Sequence, residues 1–145
     1  MARILAVDWG ERRVGLAACD ASEMLASPHS VLTRKNDRQV VGEVAAVASA
    51  IGAELLVVGL PLNMDGTEGE SAARARKLAR YLAAATGLEV LLRDERLSSE
   101  EATRRLREGG KSSREMRGKL DAVAAAVVLE DFLAERHANK TEETS

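Results

Sequence analysis

Continuous apolar runs and alternating polar loops predict a sheet with buried central strands. The run Ile4–Val7 ends at Asp8, and the run Leu55–Val58 ends shortly before Pro61. Uninterrupted apolar strands of this length are typical of sheets that helices cover on both faces. Shorter apolar segments between turn residues add three further strands. The predicted strands are 3–8, 14–18, 30–33, 54–60 and 89–93.

Apolar residues at helical spacing predict four helices. Asn36 or Asp37 can cap the first helix, and Gly52 can end it. The second covers 71–85. The third begins near Ser98, which has capping-box spacing to Glu101, and ends at Gly109. The fourth follows Ser113 and is apolar enough over 119–136 to be mostly buried.

The resulting order β-β-β-α-β-α-β-α-α is typical of one α/β sheet domain. We expect the first three strands to form an antiparallel meander, and the later strands, each preceded by a helix, to be parallel. A chain of 145 residues has the length of one domain. The predicted domain is 1–136, and the polar segment 137–145 is expected to be a flexible tail.

The amino-acid composition argues against several classes of protein. Trp9, Tyr81 and Phe132 are the only aromatic residues, which argues against a binder that stacks bases on aromatic platforms. The longest continuous apolar run, 122–129, is too short to span a membrane. A single cysteine, Cys19, and the lack of a recognisable leader indicate the cytoplasm.

Charge is unevenly distributed along the chain. The net charge is −2, yet residues 104–119 carry seven basic and two acidic side chains, a local net of +5. Residues 120–145 carry six acidic and two basic side chains, a net of −4. The basic stretch could contact phosphates, although such runs are commonly solvated helix faces.

Acidic residues occur where apolar elements meet loops: Asp8 after the first strand, Asp94 and Glu95 after the last strand, and Asp121 at the start of the buried helix. The carboxyl ends of central strands are the usual position of a site in an open α/β sheet. Several carboxylates in one crevice repel each other unless a cation neutralises them, and Mg²⁺ or Mn²⁺ prefers oxygen ligands. Such an ion can activate water for displacement at phosphorus.

Each acid also has a structural interpretation. Asp8 could accept backbone N–H groups in a turn, and Asp94 and Glu95 could form salt bridges with Arg93 and Arg96. Asp121 could be a favourable charge in the first turn of a helix. These alternatives remain open on the residues alone.

Four segments, in order along the chain, resemble the motifs of the YqgF family, whose members are described as Holliday junction resolvases and as pre-16S rRNA nucleases. The resemblance covers Arg3 to about Leu133. The matching segments are 8–15 (DWGERRVG), 58–69 (VGLPLNMDGTEG), 94–99 (DERLSS) and 119–125 (KLDAVAA).

The resemblance implies an RNase H-like fold, with a mixed sheet between helices, and a nuclease that uses Mg²⁺ or Mn²⁺ to cut structured nucleic acid. Asp8, Glu95 and Asp121 would be the catalytic metal ligands, and Asp94, the neighbour of Glu95, is the alternative second ligand. Phosphate contacts would come from three basic residues: Arg13, Arg117 and Lys119.

The substrate is either precursor 16S rRNA, processed at its 5′ end during ribosome biogenesis, or a Holliday junction, whose two cuts would require a homodimer. A non-catalytic ribosome-assembly factor that binds nucleic acid is the alternative. A phosphotransferase of the actin and sugar-kinase fold, which the pattern Asp8-x-Gly10 also fits, needs two such domains and therefore a longer chain.

Overall fold

The structure is a computed structural model that describes residues 3–20, 22, 25–96, 98–110 and 113–144. Over these residues the elements follow the predicted order. They are β1 (Ile4–Asp8), β2 (Arg13–Cys19), β3 (Ala26–Thr33), α1 (Asp37–Ile51), β4 (Leu55–Leu60), α2 (Glu70–Thr86), β5 (Glu89–Asp94), α3 (Ser98–Glu108) and α4 (Ser113–Thr144).

The strands form one mixed sheet in the order β3-β2-β1-β4-β5. β1, β2 and β3 pair in antiparallel fashion, which confirms the predicted meander. β1, β4 and β5 are parallel. The carboxyl ends of these three parallel strands therefore meet at one edge of the sheet, where loops carry the next residues outward.

Alternation along β1 divides the core into two layers. Leu5 and Val7 pack with α1 and α2 on one face of the sheet. Ile4 and Ala6 pack with α4 on the other face. Helices thus cover both faces, as predicted, and the apolar composition of β1 follows from this double burial.

Local signals account well for the helix ends. The Asn36 side chain accepts a hydrogen bond from the backbone N–H of Gln39 at 2.8 Å, and together these residues form a complete capping box at the start of α1. Gly52 ends the same helix in the left-handed conformation, with φ of 70°. Gly87 ends α2 in the same way.

Two boundaries differ from the predictions by more than one residue. β3 begins at Ala26, whereas the sequence predicted a strand over 30–33 with a turn up to Pro28. β3 is an edge strand, in which a proline without an N–H can be tolerated, so Pro28 does not interrupt it. α4 continues to Thr144, beyond the predicted end at Arg136.

The division into a domain, 1–136, and a tail, 137–145, stays a prediction. Within the described residues, no helix is long and apolar enough to cross a membrane.

Candidate functional site

Asp8 is the last residue of the central strand β1. Because side chains alternate along a strand, Asp8 lies on the same face as Ile4 and Ala6, which pack in the core beneath α4. The carboxyl group is therefore partly buried at the edge where β1, β4 and β5 end. Burial is the largest cause that raises the pKa of Asp8 above its ordinary value.

Glu95 follows β5 and points to this same face. The alternation is visible in the preceding residues, since Leu91 packs in the core beneath α4. Arg93 reaches Asp131 of α4, with Nη2 2.9 Å from Oδ2. The backbone N–H of Glu95 also donates to the carbonyl of Leu60 at 3.2 Å, which extends the pairing with β4 by one residue.

The carboxyl groups of Glu95 and Asp8 share a hydrogen bond, although β4 lies between their strands. Glu95 must therefore cross β4, and it does so at Gly59. A Cβ atom added to Gly59 would lie only 2.3 Å from Oε2 of Glu95. Oε2 is buried, and no N–H or hydroxyl group of the described residues donates to it.

Asp94 lies on the opposite face of the sheet from Glu95. Its carboxylate accepts from the Arg96 side chain, with Nε 2.9 Å from Oδ2, and from the Arg96 backbone N–H at 2.9 Å. This hydrogen bonding lowers the pKa of Asp94. The salt bridge considered for Asp94 is thus present, whereas Glu95 is turned toward Asp8.

Asp121 comes to the site from α4. A Cβ atom on Gly15 of β2 would lie 2.0 Å from the backbone oxygen of Asp121, so the helix touches the sheet at this glycine. Gly15 is paired with Asp8 in the sheet. The Asp121 carboxylate accepts from Arg13, with Nε 2.9 Å from Oδ2. Asp121 lies eight residues after Ser113, so the helix-start interpretation of this acid is wrong.

Burial and mutual contact shift the pKa values of Asp8 and Glu95. Burial, the hydrogen bond with Asp8 and the nearby negative charges together raise the pKa of Glu95 to about 10. The same hydrogen bond lowers the pKa of Asp8 and opposes its burial, while the charge of Asp121 raises it. The raised pKa of Glu95 keeps its carboxyl group protonated at neutral pH.

Two of the three predicted acids are in direct contact, and the third is a neighbour whose carboxylate is paired with Arg13. No three His, Cys, Asp or Glu side chains of the described residues lie close enough together to hold a metal ion. Asp8 and Glu95 accordingly form the centre of the candidate site, with Asp121 beside it.

The basic residues of 104–119 differ in their exposure and ion pairing. Lys119 is exposed on α4, where it lines a groove of about 440 Å³ against β3 together with Pro28 and Val123. The side chain of Arg117 lies outside the described residues. Arg104 and Arg105 of the basic stretch are held in ion pairs on α3 and α4, so the local excess of positive charge is partly neutralised there.

Sequence reasoning missed the roles of Gly15 and Gly59. Gly59 lies within β4, inside the strand predicted over 54–60, and it does not have a positive φ. Both glycines provide space for another part of the site. The signal available in the sequence was spacing, since Gly59 follows Leu55 and Val57 at intervals of two and so lies on the face of β4 beneath α4.

Comparison with known proteins identifies the family. The model of the family described as "RuvX: Holliday junction resolvase" matches residues 2–135. A protein of Anaeromyxobacter sp. (strain Fw109-5), named "Putative pre-16S rRNA nuclease", is 49% identical over 94% of this chain and 99% of its own length. The chain belongs to the RuvX family. A relative with the same name from Syntrophus aciditrophicus is 38% identical over 90% of this chain and 87% of its own.

Solved structures confirm the fold. T. thermophilus RuvC in complex with a Holliday junction substrate superposes with a TM-score of 0.62 at 14% identity, over 95% of this chain and 97% of RuvC. Fowlpox virus resolvase bound to Holliday junction DNA gives a TM-score of 0.58 at 12% identity, over 92% and 97%. This RuvX-family chain therefore has the RNase H-like fold that the resemblance implied.

Proposed function

We propose that this RuvX-family protein is a metal-dependent endonuclease that processes the 5′ end of precursor 16S rRNA. The observation that carries the proposal is the carboxyl pair of Asp8 and Glu95, which meet across Gly59 at the carboxyl ends of parallel strands. The names of curated relatives support the choice of substrate. Such processing would take place in the cytoplasm, as expected from the sequence.

The residues present fit a divalent cation. Oε2 of Glu95 is a buried oxygen to which no described group donates, and it lies beside a second carboxyl group. Hard oxygen donors of this kind suit Mg²⁺ or Mn²⁺. Asp8 and Glu95 would hold the ion. Asp121, whose carboxylate is paired with Arg13 in the structure, is proposed as the third ligand from the family resemblance.

Bound there, a divalent ion supplies a more acidic water molecule and stabilises the oxygen that leaves phosphorus. The chain's own contribution is to position the substrate. Arg13 and Lys119 would contact phosphates of the bound strand, because guanidinium and ammonium groups pair with phosphate oxygens without reading sequence. Arg117 is proposed for the same role from the sequence alone.

Holliday junction cleavage is the second candidate, and the family description supports it. The two strands of a junction are cut at two places, so this activity would require a homodimer, whereas trimming of one RNA end would not. The same carboxyl pair would serve either reaction.

The test compares the protein with its Asp8→Asn variant on a labelled four-way DNA junction and on an RNA that spans the immature 5′ end, with Mg²⁺, Mn²⁺ or a chelator. Asp131→Asn is the matched control, since it makes the same chemical change at an exposed position of α4. We expect cleavage of the RNA only with metal, retained in Asp131→Asn and lost in Asp8→Asn.

Cleavage confined to the junction would instead select the resolvase activity. Binding of both substrates without cleavage, equal in the parent and Asp8→Asn, would support the non-catalytic assembly factor and overturn the proposal.

A further inference from the structure

The ion pair between Arg13 and Asp121 places a cation beside the candidate metal site. Arg13 is the first residue of β2, and it shares the face of Gly15 and Ala17 that lies beneath α4. Its Nε is 2.9 Å from Oδ2 of Asp121. The Arg13 side chain is 47% exposed and that of Asp121 is 25% exposed, so the pair lies at the solvent side of the site.

The pair occupies groups that the proposed reaction needs elsewhere. Oδ2 of Asp121, which Arg13 engages, is one of the two oxygens with which this acid could hold a cation. The guanidinium of Arg13 is likewise engaged, and so its Nε is not available to a phosphate. A divalent ion at the neighbouring carboxyl groups would also be repelled by this positive charge.

We infer that Arg13 is a placeholder cation, which neutralises Asp121 until a divalent ion and a nucleic acid phosphate arrive and then transfers from the carboxylate to the phosphate. This inference rests on the proposed function, because it concerns the regulation of the same site. Its consequence is that metal and nucleic acid bind cooperatively, since each releases one half of the ion pair.

The first experiment measures Mn²⁺ binding by calorimetry without nucleic acid. Arg13→Gln removes the competitor, so we expect Mn²⁺ to bind about two- to five-fold more tightly than to the parent, as the loss of one half-exposed ion pair implies. Arg12→Gln removes the same charge one residue earlier, at an exposed position just before β2, and should bind Mn²⁺ as the parent does. In an Asp121→Asn background, Arg13→Gln should have a smaller effect, because only the repulsion between Arg13 and the ion is then relieved.

The second experiment measures RNA binding by fluorescence anisotropy in chelator, where no cleavage occurs. Asp121→Asn frees Arg13 for a phosphate, so this variant should bind the RNA more tightly than the parent. The gain should be smaller when Arg13→Gln is also present. An equal gain in both backgrounds would mean that only the negative charge matters, and it would overturn the transfer to phosphate.

The placeholder role is overturned if Mn²⁺ binds Arg13→Gln no more tightly than the parent, or if Arg12→Gln tightens binding equally. Failure of the proposed function has a different signature, because the parent itself would then neither bind Mn²⁺ at the site nor cleave RNA. Circular dichroism confirms that each variant is folded before the comparison is made.

Discussion

Gly59→Ala and Gly15→Ala are expected to separate activity from stability, although both add a single methyl group at the same edge of the sheet. At Gly59 the new Cβ atom would lie 2.3 Å from Oε2 of Glu95. This oxygen is the end of a side chain, and it would have to move by about 1 Å to reach ordinary contact. The side chain can turn away from Asp8 while the backbone stays in place.

The expected changes in stability and cleavage rate depend on which atoms must move to make room for the methyl group. For Gly59→Ala we expect a stability change within about 0.5 kcal/mol, because alanine also lowers the entropy of the unfolded chain. A displacement of about 1 Å at a catalytic group can cost on the order of 10²-fold in rate. The variant should therefore be folded and nearly inactive.

In Gly15→Ala, the added methyl group would collide with backbone atoms of α4 instead of a side chain. Its Cβ atom would lie 2.0 Å from the carbonyl oxygen of Asp121 and 2.2 Å from the carbonyl carbon, so α4 itself must shift. Overpacking of this kind costs about 1–3 kcal/mol. For a chain of this size, that is a fall in Tm of roughly 3–10 °C.

Thermal denaturation and single-turnover cleavage of the RNA, measured on both variants, check these expectations. The reasoning is refuted if folded Gly59→Ala cleaves at the parent rate, since Glu95 would then not need to cross β4 at this position. It is also refuted if Gly59→Ala is destabilised as much as Gly15→Ala.

Three further outcomes are expected. Between the ordinary pKa of Glu95, 4.5, and its raised value of about 10, the folded state holds a proton that the unfolded chain has lost, so stability falls as pH rises through this window. Glu95→Gln cannot titrate and should be more stable than the parent at pH 8, by about 1–3 kcal/mol in urea denaturation, with little difference at pH 5. Mn²⁺ should displace the shared proton, so calorimetry in buffers of different ionisation enthalpy should show about one proton released near pH 7 and tighter binding as pH rises. Arg96→Ala removes the hydrogen bond from Nη1 to the Met64 carbonyl, 3.3 Å, and the ion pair with Asp94. Backbone hydrogen exchange should therefore accelerate in the loop 61–69, while the free energy of unfolding falls by less than about 1 kcal/mol.

The fold could be predicted because its signals are local. The doubly buried runs of β1 and β4 place these strands at the centre of the sheet, and Asn36 and Gly52 define the ends of α1. The start of β3 could not be predicted in this way. Pro28 is a turn signal in the sequence, and only the edge position of β3, which the order of all five strands decides, allows this proline within the strand.

Less of the candidate site could be predicted from the sequence. The sequence singled out Asp94 and Glu95 together, and which of them faces Asp8 is decided by alternation along β5. Leu92 packs against α1 and α2, whereas Leu91 packs beneath α4. Because Glu95 follows Leu91 at an even interval, it lies on the face beneath α4, as Asp8 does. This rule was available from the sequence once the sheet faces were assigned. The pairing of Arg13 with Asp121 was not, because it depends on how closely α4 approaches β2.

The contact between Asp8 and Glu95 makes this site costly to maintain without a ligand. Two strand-end carboxyl groups are brought together by removing the side chain between them at Gly59, and the fold tolerates the contact by retaining a proton on Glu95. A purely structural role would not require an acid there, since an apolar side chain would avoid the cost of burying a carboxyl group. The arrangement becomes favourable when a cation replaces the proton, and this is why we interpret the carboxyl pair as a binding site.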